Sequence, residues 1–430
     1  MSLNERWKKF TLKYPSARNI STLLTGTVLA QIIVMMLEPI ISRLYSPEET
    51  GEFAVILAVA TTITTIAGLR YDMAIVITDT FANARRLRGA VTGIITIVSV
   101  LTTLLMIPLG DTVASAVGYP HLGPWMTVTG LLVFTLAQVN SFSFWFTKTQ
   151  QFKVISINRV QMRSSVQIFQ IILALFSIGG IVGLVVGQIV GQAGAAATLM
   201  WKGRRRVKNE GEATATSIEL LKRFRRMPLL NGPNALVDAI RLQGINLLIA
   251  ALFSANAVGQ FTKAWLLMQA PVTLINGAIS QVFFQRFADT PRGGLLPLAK
   301  KSVKVSLAFG FGPFLIIFLI APWLFPIYLG SRWDMSGEIA RALVPWLYMN
   351  IVTSPISTVF VVTQRQHEML AFAVLYMVTG LGAVLTGSHF GLDVVSTTWL
   401  LASLMSVALI GLVFLTLRAC RLYDSQADTE

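Results

Sequence analysis

The chain has 430 residues, 54% hydrophobic and only 13% charged, with a formal net charge of +15 and a mean hydropathy of +0.66. A soluble domain is about 45–50% apolar and about 25% charged, so a water-soluble globule is excluded and an all-α polytopic integral membrane protein is expected. The single cysteine, Cys420, excludes an internal disulfide.

In chain order, apolar runs of helical length predict twelve spans, near 20–41, 53–77, 89–109, 124–146, 162–178, 181–201, 231–252, 258–281, 302–328, 341–362, 369–388 and 394–417. The first run ends in Glu38-Pro39 with no small-residue cleavage site, so it reads as a retained helix rather than a signal peptide. Basic residues fill the N-terminal segment and the even-numbered loops. The second loop holds Arg85, Arg86 and Arg88, the fourth holds Lys148, Lys153, Arg159 and Arg163, and the sixth runs from Lys202 to Arg226. The odd-numbered loops hold only Arg43, Arg332 and Arg341. This alternation follows the positive-inside rule, supports the count of twelve, and places both termini in the cytoplasm. It also removes nucleic acid as a partner. The outer loops are short, which leaves no room for an extracytoplasmic catalytic domain.

The long polar sixth loop divides the chain. The expected organisation is a six-helix lobe over 1–201, a basic cytoplasmic linker over 202–227, a second six-helix lobe over 228–418, and a cytoplasmic tail over 419–430, with the lobes around a central cavity. Within the linker, "SIELLKRFRRM" reads either as a basic amphipathic helix on the membrane surface or as a solvated segment. The halves look related: "LYSPEETGEFA" (Leu44–Ala54) recurs as "LFSANAVGQFT" (Leu252–Thr262), each joining the first and second spans of its half. Parallel repeats of this kind are an arrangement of alternating-access transporters. The shared Gly is expected in a tight turn outside the membrane, and the Phe near the interface.

Charges inside spans are expensive and by default face a cavity or one another. Arg70 and Asp72 lie in the cytoplasmic half of span two, either as a structural ion pair or as a functional group. Asn231, Asn234, Asp238 and Arg241 fall within an arc of about 80° on span seven at 100° per residue, a polar stripe that should line the bundle interior, with Asn246 extending it. Asp238 and Arg241 are also spaced to neutralise each other within the helix. Gln31 and Glu38 share a face of span one, and Lys263 opens span eight, either snorkelling or facing inward. The candidates include cations with fewer anions beside them, which suits a phosphate-bearing substrate. Gly183, Gly187 and Gly191 are spaced for close helix packing. The three histidines share no ligand spacing, so no metal is expected, and no phosphate loop or nucleophile motif is present.

The segments "RLYSPEETGEFAVILAV" and "LRYDMAIVI", with "AISQVFFQRFAD" (Ala278–Asp289), resemble the polysaccharide-biosynthesis branch of the multidrug/oligosaccharidyl-lipid/polysaccharide exporter superfamily. The resemblance implies a Wzx-type flippase, not an enzyme. Such a protein moves a polyprenyl-diphosphate-linked oligosaccharide across the cytoplasmic membrane of a bacterium, for O-antigen, capsule or exopolysaccharide synthesis. Its fold would be two six-helix lobes around a cationic cavity. On this reading Arg70, Arg241, Lys263, Asn231, Asn234 and Asn246 contact substrate, and Asp72, Asp238 or Glu38 carries a coupling proton or sodium ion. No cofactor is expected. The partners are membrane lipid, the polysaccharide polymerase and other assembly proteins. A multidrug antiporter of the same superfamily and a non-transporting subunit of the assembly complex remain as alternatives.

Overall fold

A computed structural model of the chain describes residues 15–205, 211–290, 293–363 and 365–425. The described residues are helical throughout, without a strand, as a chain that must satisfy its backbone inside lipid requires. The principal helices are α1 (Pro15–Leu44), α2 (Pro47–Ala67), α3 (Tyr71–Ile77), α4 (Phe81–Ala116), α5 (Thr129–Lys148), α6 (Phe152–Leu175), α7 (Gly180–Gly203), α8 (Ser217–Arg223), α9 (Gly232–Leu252), α10 (Ala255–Asp289), α11 (Leu295–Leu329), α12 (Asp334–Ile356), α13 (Gln366–His389) and α14 (Val394–Ser425). Each expected span coincides with a helix or a broken pair of helices. Seven of the described helices are long and apolar enough to cross a membrane by length and composition alone. The bent pair Pro120–Met126 and Thr129–Lys148 makes an eighth.

Contacts divide the chain into two compact units, Met1–Leu247 and Leu248–Glu430. In the first unit α5 is the hub, packed against α2, α3, α4 and α7, while α6 packs on α1 and α7. In the second, α12 is the hub, packed against α10, α11 and α14. The Asp424 carboxylate accepts from the backbone N–H groups of Gly293, Leu295 and Leu296, at 2.9, 3.2 and 2.8 Å, and so caps the start of α11.

The repeated motif folds alike in both units. Ser46 caps α2 with φ −77° and ψ 162°, and Ser254 caps α10 with φ −80° and ψ 161°. Each hydroxyl accepts from the backbone N–H three residues on, at 3.2 Å in both places. The eighth residue beyond each Leu reaches a loop of its own unit: Glu52 contacts His121 Nε2 at 2.7 Å, and Gln260 donates to the Arg332 carbonyl at 2.7 Å and accepts from Ser336 N–H at 2.9 Å. The shared glycines differ from expectation. Gly51 and Gly259 are not in turns but buried in the first turns of α2 and α10. The serine caps make the turns.

Two spans also differ from expectation. Span two is not continuous but breaks between α2 and α3. The fifth span begins at Phe152, ten residues before its expected start, so Arg159 and Arg163 lie within α6 and not in a loop.

Candidate functional site

The break in span two positions the first candidate residues. A threonine-rich run precedes it, and the hydroxyls of Thr61, Thr64 and Thr65 donate back to the carbonyls of Leu57, Ala60 and Thr61 at 2.8, 2.8 and 3.0 Å. Such back-bonding weakens and bends a helix. Gly68 ends α2, and Leu69 and Arg70 then adopt left-handed backbone, with φ of 47° and 59°. This conformation costs a residue with a side chain roughly 1–2 kcal/mol. Lys148 on α5 donates to the carbonyls of Val76 and Thr78 and so closes the far end of α3.

Broken backbone at membrane depth is tolerated where it is buried in protein or lines a cavity. Here two adjoining compartments, of about 260 and 440 Å³, share Arg70, Asp72 and Asn140 as walls. Arg70 and Asp72 form no ion pair within 4 Å of each other; the Asp72 carboxylate instead accepts from Met73 N–H at 3.1 Å. The Arg70 Nε is buried without a hydrogen-bond partner. The larger compartment is completed by Ser143 and Thr147 on α5 and by Asn158 and Arg159 on α6. Arg159 donates from Nη1 to Thr27 Oγ1 on α1 at 2.7 Å. At 1.5 Å per residue it sits about 10 Å along α6, with Arg163 one turn deeper.

Arg159 and Asn140 line the cavity, and the sequence alone does not mark them as site residues. The available signal is the polar run "NRVQMRSSVQIFQ" at helical length, whose first four residues fall before the expected start of span five. In the fold the NH2 groups of three of its amides donate to neighbouring helices. Asn158 donates to Ala195 O at 2.9 Å, Gln170 to Leu184 O at 3.1 Å, and Gln167 to Glu38 Oε2 at 3.2 Å.

The remaining sequence candidates are dispersed. Glu38 is buried beside Gln167, apart from the two compartments. Asn231 donates to Met227 Sδ at 3.1 Å in a π-helical turn before α9, and Asn246 to Gln243 Oε1 at 3.4 Å. The side chains of Asn234, Asp238 and Arg241, on α9, lie outside the described residues. In the second unit Lys263 is buried on α10 with its Nζ 5.3 Å from the Trp333 ring centre.

The linker helix α8 packs against α4 within the first unit. Asn83, fully buried at the start of α4, accepts from the N–H groups of Thr214 and Ala215 at 3.1 and 3.2 Å and donates to Thr214 Oγ1 at 2.8 Å. Arg86 donates to Ala215 O at 3.0 Å, and Arg223 pairs with Asp79 at 2.9 Å. The Tyr71 hydroxyl, next to Arg70, donates to Leu221 O at 3.2 Å and ties the break to the linker. Hydrogen bonds from Asn83 and then Arg223 lower the Asp79 carboxyl to about 2 from its ordinary 3.8. A depressed carboxyl favours the docked linker above its ordinary value and releases that contribution as pH falls toward 2. Hydrogen exchange of residues 211–226 should therefore stay protected down to pH about 4 and lose protection between about 4 and 2. Exchange that is flat across that window would remove Asp79 from the latch.

Fold and site together define a multi-pass membrane protein with a cation-lined cavity at a broken span. The chain belongs to the polysaccharide biosynthesis protein family, whose sequence profile matches residues 40–338. It has no match among curated protein sequences. Solved structures share the fold over nearly the whole chain. An inward-facing multidrug resistance MATE family transporter of the MOP superfamily aligns with a TM-score of 0.70 at 15% identity, over 94% of this chain and 96% of that one. The lipid II flippase MurJ, in an inward closed conformation, aligns with a TM-score of 0.72 at 11% identity, over 93% and 89%. A MOP superfamily transporter from Pyrococcus furiosus aligns with a TM-score of 0.62 at 16% identity, over 94% and 96%. At these identities the likeness establishes the fold. Family and fold together support a membrane transport role.

Proposed function

We propose that the chain is a flippase that moves a polyprenyl-diphosphate-linked oligosaccharide across the bacterial cytoplasmic membrane for O-antigen, capsule or exopolysaccharide synthesis. The observation that carries this reading is the cavity at the broken span, where Arg70 and Arg159 outnumber Asp72 in a member of a polysaccharide biosynthesis family. Two guanidinium groups against one carboxylate suit a diphosphate, because Arg binds phosphate oxygens through paired N–H donors. They suit an organic cation poorly. Asn140, Ser143 and Thr147 offer hydrogen-bonding groups to sugar hydroxyls. The polyprenyl tail stays in lipid while the head group crosses by alternating access, with both termini cytoplasmic. Arg241, Lys263, Asn231, Asn234 and Asn246 remain proposed contributors. Among the described residues Asp72 is the acid that lines the cavity, so coupling to a proton or sodium gradient is assigned to it before Glu38, with Asp238 kept as a further candidate. The product would pass to a polysaccharide polymerase on the outer side.

The test uses liposomes holding a fluorescent polyprenyl-diphosphate oligosaccharide, with a membrane-impermeant quencher added outside. The protein should raise the rate at which inner-leaflet label becomes quenchable at least tenfold over empty liposomes. If several sugar heads show no such rise under proton or sodium gradients while a lipophilic cation is exported, the antiporter reading replaces this one.

A further inference from the structure

A second pocket, of about 240 Å³, lies apart from the cavity, where the ends of three spans meet. Its walls are Trp145 from the last turn of α5, Gln151 and Val154 at the start of α6, and Trp201, Lys202 and Arg205 at the end of α7. A helix C-terminus carries partial negative charge and repels anions, but here that charge is quenched. Arg85 donates to the carbonyls of Gly203 and Arg205 at 3.1 and 2.8 Å, and Arg88 to Gly203 O at 2.9 Å. The same guanidinium groups lie over the buried Trp145 ring, at 5.1 and 4.7 Å from its centre. Lys202 and Arg205 are left facing the pocket, and neither has a carboxylate within ion-pair distance among the described residues. Arg205 is braced over Trp201, 5.0 Å from the ring centre. None of the lining residues is acidic.

Position and size choose the ligand. Trp201 is 59% exposed in the last turn of an apolar span, the depth at which tryptophan rings settle among lipid head groups. Basic pockets between span ends at that depth bind lipid phosphates. The volume is that of about eight waters at roughly 30 Å³ each, enough for a phosphodiester and its glycerol but too small for an oligosaccharide. We infer that this pocket is a binding site for the phosphodiester head group of an anionic membrane phospholipid, held by Lys202 and Arg205 against Trp201. The bound lipid would pin the ends of α5, α6 and α7 together. This site is separate from the proposed transport path and does not depend on the transported molecule.

The test is native mass spectrometry of the full-length protein released from mixed micelles of phosphatidylglycerol and phosphatidylcholine. Wild type should retain phosphatidylglycerol at least fivefold over phosphatidylcholine. Arg205→Gln, and more strongly Lys202→Gln with Arg205→Gln, should bring that ratio toward one. Lys301→Gln, an exposed lysine of the second unit, should leave it unchanged. Thermal midpoints in phosphatidylcholine alone report whether each variant is folded, and phosphatidylglycerol should raise the midpoint of wild type but not of the double variant. Equal retention of the two lipids, or a preference that survives the double variant, overturns the site. Protection by inorganic phosphate equal to that by phosphatidylglycerol makes it a soluble-anion site and overturns the lipid assignment.

Discussion

Arg70→Gly is expected to leave the protein as stable as wild type, or up to about 1 kcal/mol more stable, while lowering translocation of the diphosphate-linked substrate at least tenfold. The stability half follows from the backbone. Arg70 holds φ at 59°, a conformation that costs a residue with a Cβ roughly 1–2 kcal/mol and glycine almost nothing. Glycine gives back about 0.5–1 kcal/mol through the unfolded chain, so the two effects nearly cancel. Removing the guanidinium also removes a buried Nε without a partner. The transport half follows from charge, since the cavity loses one of the two cations that outnumber Asp72. Strain retained at a site whose removal costs activity is the signature of a functional residue. Arg159→Gln supplies the companion measurement. Glutamine keeps a polar side chain but removes the charge and, being two bonds shorter, also the donation from Nη1 to Thr27 Oγ1 at 2.7 Å, so the thermal midpoint reports any structural cost of that bond. The read-outs are thermal midpoint in detergent and initial quenching rate in liposomes. A variant that melts with wild type and transports at its rate would mean that the guanidinium is structural. A variant that both melts early and fails would leave the site unsupported.

Much of the architecture was legible because membrane helices announce themselves through composition. The apolar runs located the helices, and the Ser-led motif located two homologous helix starts, since a serine cap and its backbone partner lie three residues apart in sequence. The interruption at "GLRYD" marked two residues that line the cavity but not the break, because left-handed backbone at Leu69 and Arg70 leaves no mark in composition. Arg159 was assigned to a loop for a related reason. Hydropathy reads α6 as though its amides faced lipid, whereas Asn158, Gln167 and Gln170 are bonded to α1 and α7. Partners supplied by distant helices are tertiary facts that a single sequence does not display. The position of Asn83 under the linker is another: it is an ordinary residue three positions past a helix cap until residues 214 and 215 fold onto it.

Gly191→Ala should destabilise the first unit by about 1–3 kcal/mol, the range for forcing a methyl into a filled core, and Gly187→Ala by a similar amount. A Cβ on Gly191 would lie 2.5 Å from the Val166 nitrogen and 2.6 Å from its Cα, and one on Gly187 would lie 2.8 Å from the Gln170 nitrogen. These are backbone atoms of α6, so a side-chain rotation cannot relieve the clash and the helices must separate. Small residues at span interfaces serve this close approach, because lipid supplies no hydrophobic force to hold helices together and packing must do so. Gly194, one turn on with nothing within 4 Å of its would-be Cβ, is the control. Gly194→Ala should be neutral or gain up to about 1 kcal/mol from helix propensity. Thermal midpoints of the three variants in one detergent decide the matter, and equal midpoints for Gly191→Ala and wild type would show that contact with α7 does not fix α6. The same helix carries Arg159, so its displacement should lower transport along with stability. That pairing contrasts with Arg70→Gly, where stability holds and transport falls. One variant acts through the packing that places the cation, the other through the cation itself.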